Sequence, residues 1–108
     1  MRDIQLEGRQ MTTFELINNY NLEDRHVESV TYDESQESLL IDIDQSSLTL
    51  VFEGVSGLVL KTYPEYNGMI IKKVLEDYGQ MSFELYDDIG NDYFEVSFKA
   101  KGVTVTEK

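Results

Sequence analysis

The chain has 108 residues, with 21 acidic and nine basic side chains and a formal net charge of −12. Such a charge repels nucleic-acid phosphates and anionic lipid headgroups and attracts cationic molecules. We therefore expect a basic protein partner, no nucleic acid and no membrane. The sequence contains no cysteine, which excludes disulfides, thiolate metal sites and cysteine nucleophiles.

Size and hydropathy predict one β-rich domain spanning residues 1–108. A chain of 108 residues is long enough to form a hydrophobic core without metal or disulfide support, and its 41% of apolar residues argues against global disorder. No apolar run approaches the roughly 20 residues that a membrane-spanning helix needs. Residues 1–7 also lack the apolar middle of a secretory signal, so we expect a cytoplasmic protein.

The N-terminal region predicts one short helix. After a short extended piece at Ile4 and Leu6, Thr12 is followed three residues later by Glu15, which is the pattern of a capping box. Apolar residues then follow at helical spacing. The helix is predicted at about 12–19, and the polar residues 18–21 end it.

From residue 26 onward, apolar and polar residues alternate, which predicts half-buried antiparallel strands joined by short turns. The strands fall at about 30–32, 39–43, 48–53 and 58–63. Gly54 and Gly57 interrupt this alternation and indicate a bulge or a bend.

Residues 65–79 fit two structures. Ile70, Ile71, Val74 and Leu75 share one face of a helix, which would make the domain α+β with a second helix at about 67–78. Against this, Asn67 and Gly68 form a typical hairpin turn, and residues 77–79 form another. The sequence favours a strand at 69–76.

The remaining sequence continues the β pattern, with strands at about 81–86, 94–98 and 103–105. Polar loops at 87–92 and at 101–102 separate them. Six to eight short strands at this spacing predict a mainly β fold. The expected architecture is an antiparallel meander that closes into a sandwich or barrel, with one short N-terminal helix.

A resemblance to known domains rests on two segments. These are the hairpin at 30–43 and the strand Leu48–Val55, which ends in Phe52-Glu53-Gly54-Val55. The chain resembles small bacterial domains of unknown function in which a β-hairpin leads into an F-x-G-V strand end. Some of these families look like immunity proteins. The resemblance implies a protein that neutralises a toxin by binding it, and it implies no catalytic residue.

The distribution of charge predicts where a partner binds. Between Arg25 and Lys61 there is no lysine or arginine, and seven acidic residues occur: Glu28, Asp33, Glu34, Glu37, Asp42, Asp44 and Glu53. Alternation places part of this charge on one sheet face. We predict an acidic β face at Asp42, Asp44 and Glu53, with tyrosine anchors at Tyr63 and Tyr66, because tyrosine is enriched at binding hot spots.

A second hypothesis is a small-molecule or calcium-binding β-barrel. The loop at 87–92 offers oxygen ligands of the kind that calcium prefers: Asp87, Asp88, Asn91 and Asp92. The same residues are also typical of a plain turn. The only histidine, His26, is expected at the surface where a strand begins. Phosphate-loop, dinucleotide and zinc-finger patterns are absent, so we expect no cofactor and no enzymatic activity.

Overall fold

Nine strands and one helix occupy residues 8–61, 69–87 and 93–108, which are the residues that the computed structural model describes. In chain order the elements are β1 (Arg9–Met11), α1 (Thr13–Asn19), β2 (His26–Asp33), β3 (Ser38–Ile43), β4 (Leu48–Glu53), β5 (Ser56–Lys61), β6 (Met69–Asp77), β7 (Gln80–Asp87), β8 (Tyr93–Lys99) and β9 (Gly102–Glu107).

All nine strands belong to one antiparallel sheet with the order β1-β9-β4-β3-β2-β6-β7-β8-β5. Two three-stranded meanders, β2–β3–β4 and β6–β7–β8, make up most of it. The last strand of the chain, β9, lies between β1 and β4. Because β1 and β5 stand at opposite ends of this order, the sheet that the described residues form is open and not a closed barrel.

The sheet folds back on itself and buries a core between its two halves. Phe52 on β4 lies 4.8 Å from Phe98 on β8, measured between ring centroids. Five strand steps separate β4 from β8 in the sheet order, which would place them about 24 Å apart in a flat sheet. The strands β1, β9, β4, β3 and β2, here the first half-sheet, therefore face the second half-sheet of β6, β7, β8 and β5.

The fold-back occurs where β2 meets β6. This pairing consists of two residue pairs, His26 with Ile70 and Val27 with Met69. Directly after it, a bulge interrupts β2 between Val27 and Ser29, and another interrupts β6 between Ile71 and Lys73. A bulge bends its strand and increases the local twist, so the two bulges form the corner between the half-sheets.

Helix α1 lies beside β6, β1 and β9 and contributes to the same core. It begins with the predicted capping box: the Glu15 amide donates to Thr12 Oγ1 at 3.0 Å, and the Thr12 amide donates to Glu15 Oε1 at 2.8 Å. Leu16 is fully buried, and the buried Thr13 donates its hydroxyl to Glu76 on β6 at 2.8 Å. A helix of seven residues is too short to be stable alone, so these contacts hold it.

Most of the predicted elements are confirmed, including α1 and the mainly β fold. Residues 69–77 form a strand and not a second helix. The bulge in β6 explains why this segment looks helical in sequence. It adds Lys72 to the strand, so that Ile71 and Val74 both point into the core although three positions separate them. The bend at Gly54 and Gly57 is also confirmed, since both have positive φ and β5 changes register between Ser56 and Val59.

One strand, β1, was not predicted, because its sequence Arg-Gln-Met shows no alternation. Of the two predicted architectures, the described residues form a sandwich and not a closed barrel. The extended piece expected at Ile4 and Leu6 lies outside the described residues. The end of the strand expected at 58–63 does as well.

The facing phenylalanines provide a test of this packing. Replacing Phe52, which is fully buried, by alanine removes contacts with both half-sheets and leaves a cavity. We expect Phe52→Ala to lower the free energy of unfolding by about 3–5 kcal/mol in urea denaturation. The matched control is Phe14→Ala, because Phe14 is 63% exposed and its loss should cost about 0.5 kcal/mol or less. Equal losses in the two variants would contradict the packing described here.

Candidate functional site

The outward side of the described strands β2, β3, β4 and β9 carries carboxylates and hydroxyls but no lysine or arginine. Because alternate residues of a strand point to opposite faces, the residues next to the core positions of β2, β3, β4 and β9 point outward. We call this surface the acidic face, and it consists of Ser29, Thr31, Leu40, Asp42, Thr49, Val51, Glu53, Thr104 and Thr106.

Asp42 stands in the middle of the acidic face. Its register partners are Ser29 on β2 and Thr49 on β4. The Ser29 hydroxyl donates to Asp42 Oδ2 at 3.2 Å, and the Thr49 hydroxyl donates to Asp42 Oδ1 at 2.9 Å. Both donors are neutral and fix the half-buried carboxylate in place, and no lysine or arginine in the described part of the chain forms an ion pair with it.

Glu53 lies at the end of β4 and at the edge of the acidic face. It is exposed, and its Oε2 accepts a hydrogen bond from the Thr104 hydroxyl of β9 at 2.9 Å. Glu53 and Lys101 both line a cleft of about 340 Å³ beside β1 and α1. Within the described part of the chain the two side chains form no ion pair. Glu53 therefore repeats the arrangement at Asp42, a carboxylate held by a hydroxyl.

Asp44 has a different environment from the other predicted partner-binding acids. It lies in the β3–β4 turn with φ at +52° and forms an ion pair with Arg25, whose Nη1 is 3.3 Å from its Oδ2. Its other oxygen accepts the His26 amide at 3.1 Å. The Arg25 Nε donates to the Asn21 carbonyl at 2.8 Å. Asp44 thus joins the turn to the start of β2, and Arg25 offsets its charge.

Further carboxylates border the acidic face at both ends. At the β2–β3 turn, Asp33, Glu34 and Glu37 are exposed. The Ser35 hydroxyl donates to Asp33 Oδ1 at 2.7 Å, and this hydrogen bond lowers the pKa of Asp33 below its ordinary value of 3.8. At the opposite end, Glu28 accepts the amide of Gln45. These groups add negative charge around the face.

The outward side of the second half-sheet is mixed in charge. It carries Lys72, Lys73 and Lys99 as well as Glu84 and Glu95. The Lys72 Nζ lies 5.3 Å from the centroid of the Tyr93 ring, and the Tyr93 hydroxyl donates to Glu84. That hydrogen bond raises the pKa of Tyr93 above its ordinary value of 10.0. Cations and anions therefore neighbour one another on this side, in contrast to the acidic face.

Several predicted site residues lie outside the described residues: Tyr63, Tyr66, Asp88, Asn91 and Asp92. Asp87 is the last residue of β7, where it pairs with Met69, and its side chain is not described. Among the residues that the structure describes, no three His, Cys, Asp or Glu side chains come together as a metal site. His26 is exposed at the first position of β2, as predicted, and lines a cleft with Glu28, Asp44 and Gln45.

Sequence analysis did not single out the hydroxyl donors Ser29, Thr49 and Thr104. Ser29, Thr49 and Thr104 lie at outward strand positions, so the alternation of apolar and polar residues is enough to predict which sheet face they join. It did not mark their pairing with particular carboxylates, because that pairing depends on the register between strands. The Arg25–Asp44 ion pair was also missed, since 19 positions separate the two residues.

Comparison of the chain with models of protein families, with curated proteins and with solved structures finds no match. The similarity to immunity proteins therefore stays a prediction. No helix in residues 8–61, 69–87 and 93–108 is long and apolar enough to cross a bilayer. The fold and the surface define an antiparallel β-sandwich with one short helix and with its charges divided unequally between two outer faces.

The lowered pKa of Asp33 generates a prediction about acid stability. A carboxyl whose pKa is lower in the folded state stabilises the fold above its unfolded pKa, and this contribution disappears as the pH falls through the folded pKa. Asparagine can accept the same turn hydrogen bonds without the charge. We expect Asp33→Asn to be less stable than the natural protein at neutral pH and equally stable well below pH 3.8. A stability difference that stays constant across this range, measured by chemical denaturation, would contradict the prediction.

Proposed function

We propose that this protein is a non-enzymatic interaction domain that binds a basic protein partner through the acidic face. The observation that carries the proposal is the segregation of charge. Asp42 and Glu53 are held by hydroxyl groups, and none of the nine residues of the acidic face is basic. The lysines of β6 and β8 lie instead on the opposite outer face.

This arrangement favours association with a cation. A carboxylate paired with lysine offers little net charge, whereas a carboxylate held by hydroxyls keeps its full charge and a fixed position. A partner with arginine or lysine side chains would gain charge-assisted hydrogen bonds to it. The net charge of the chain, −12 at neutral pH, would also attract such a partner from a distance and speed association.

An extended strand surface supports binding of a protein more than binding of a small molecule. The acidic face is one side of four neighbouring strands, and Leu40 and Val51 lie half-buried among its hydroxyl groups. Small-molecule sites are concave and enclose most of their ligand. A toxin-neutralising role of the immunity type is one version of the proposal, in which the partner is a toxin with a basic surface.

A pair of matched double variants tests the acidic face. Asp42→Asn with Glu53→Gln removes two negative charges from it, and Glu84→Gln with Glu95→Gln removes the same charge from the opposite face. The probe is a short oligolysine peptide, and binding is followed by amide chemical shifts at increasing salt. We expect the first variant to weaken binding about two- to thirtyfold, since exposed charge pairs contribute about 0.2–1 kcal/mol each.

The control variant should bind the peptide about as well as the natural protein. The amide shifts should be largest on β3, β4 and β9, and the affinity should fall as salt screens the charges. If both double variants lose the same affinity, only net charge matters and the proposed face is wrong. Binding that does not depend on salt would also contradict the proposal.

A further inference from the structure

An exposed cleft lies between the first turn of α1 and the β6–β7 turn. It has a volume of about 360 Å³ and is lined by Phe14, Glu76, Asp77 and Tyr78. Two of these residues are aromatic, and both expose most of their surface: Phe14 is 63% exposed and Tyr78 is 94% exposed. Aromatic rings normally contribute burial energy to a fold, and these two contribute little of it.

Tyr78 also occupies an unfavourable backbone conformation. Its φ is +48°, and the following Gly79 has a φ of +89°, which is the pattern of a type I′ hairpin turn. Asparagine, aspartate and glycine are preferred at the first of these positions, and a bulky residue there is strained. Because Tyr78 is almost fully exposed, packing does not offset the strain. Folding therefore gives no reason for a tyrosine at this position.

The carboxylates of the cleft are held near the two rings. Glu76 Oε2 accepts the Thr13 hydroxyl at 2.8 Å and the Gly79 amide at 2.9 Å, which ties α1 to the β6–β7 turn. Asp77 is exposed directly beside Tyr78. The four described residues that line the cleft thus include two carboxylates, two aromatic rings and no cation.

We propose that this cleft binds an arginine side chain carried by a segment of a partner protein. A guanidinium group is planar, stacks on aromatic rings and forms paired hydrogen bonds with carboxylates. The cleft supplies both kinds of contact within one small volume. Its charge complements a cation, and an apolar residue beside the arginine would cover the exposed ring of Phe14.

The openness of the cleft favours a polypeptide over a free small molecule. Sites for small ligands bury most of the ligand surface, and a cleft with one wall formed by a 94% exposed Tyr78 does not. An arginine within a polypeptide gains further contacts from its neighbours. The cleft shares no residue with the acidic face, so this inference goes beyond the proposed function and does not depend on it.

The experiment uses the full chain and two short peptides that differ in one group. One peptide contains arginine between two leucines, and the other contains citrulline, which is uncharged and nearly the same shape. Ring and amide signals of the protein are followed by NMR during titration with each peptide. We expect the arginine peptide to shift the signals of Phe14 and Tyr78 and to bind more tightly than the citrulline peptide.

The variant Tyr78→Asn separates binding from folding. Asparagine suits the positive φ, so this variant should unfold at a urea concentration equal to or higher than that of the natural protein. It should bind the arginine peptide about two- to fivefold more weakly, because the ring contact is lost. The matched control is Tyr93→Asn, which removes an exposed tyrosine that does not line the cleft and should leave peptide binding unchanged.

Four results would overturn the proposal. Equal affinity for the arginine and citrulline peptides would show that charge is not recognised. Unchanged peptide binding in Tyr78→Asn would show that the ring takes no part, and marked destabilisation of that variant would give Tyr78 a structural role. Loss of peptide binding in the Asp42→Asn, Glu53→Gln variant with no loss in Tyr78→Asn would place the arginine on the acidic face instead.

Discussion

The contact between the two half-sheets is the interaction on which the rest of the structure depends. Phe52 of β4 meets Phe83 and Phe98 of the second half-sheet with ring centroids 6.0 and 4.8 Å apart, both edge to face. An antiparallel sheet with one apolar side must cover that side, and here the sheet covers itself. The bulges in β2 and β6 make this possible by bending the strands at the corner. Leu16 brings α1 into the same core.

Folding the sheet on itself also determines the two outer surfaces. Each strand contributes alternate residues to the core and to the outside, so each half-sheet has one outward face. The strands β2, β3 and β4, which contain no lysine or arginine, lie together in the first half-sheet. The lysines of β6 and β8 fall together in the second. An uneven distribution of charge along the chain thus becomes an uneven distribution between two sides of the molecule, which is a property that a charged partner can detect.

The two proposed binding surfaces differ in how they relate to local folding preferences. The acidic face agrees with them in its threonines, which suit strands, and its hydroxyls hold the two carboxylates in place. The cleft at Phe14 and Tyr78 conflicts with them, since it exposes two aromatic rings and places one at a positive φ. Conflicts of this kind are expected at functional sites, where local preferences are overridden.

The features that the sequence alone determined are local ones. Thr12 and Glu15 specified the start of α1 because a capping box involves residues three positions apart, and alternation specified most strands because it reflects which face each residue joins. Gly54 and Gly57 indicated the bend, and Asp77-Tyr78-Gly79 indicated the β6–β7 turn, because both signals lie within a few neighbouring residues. Only the tertiary structure decided that β9 lies between β1 and β4, that β2 meets β6, that hydroxyls hold Asp42, and that Arg25 neutralises Asp44. These depend on contacts between residues far apart in the chain, whose pairing is selected by the packing of the whole core and leaves no short-range pattern.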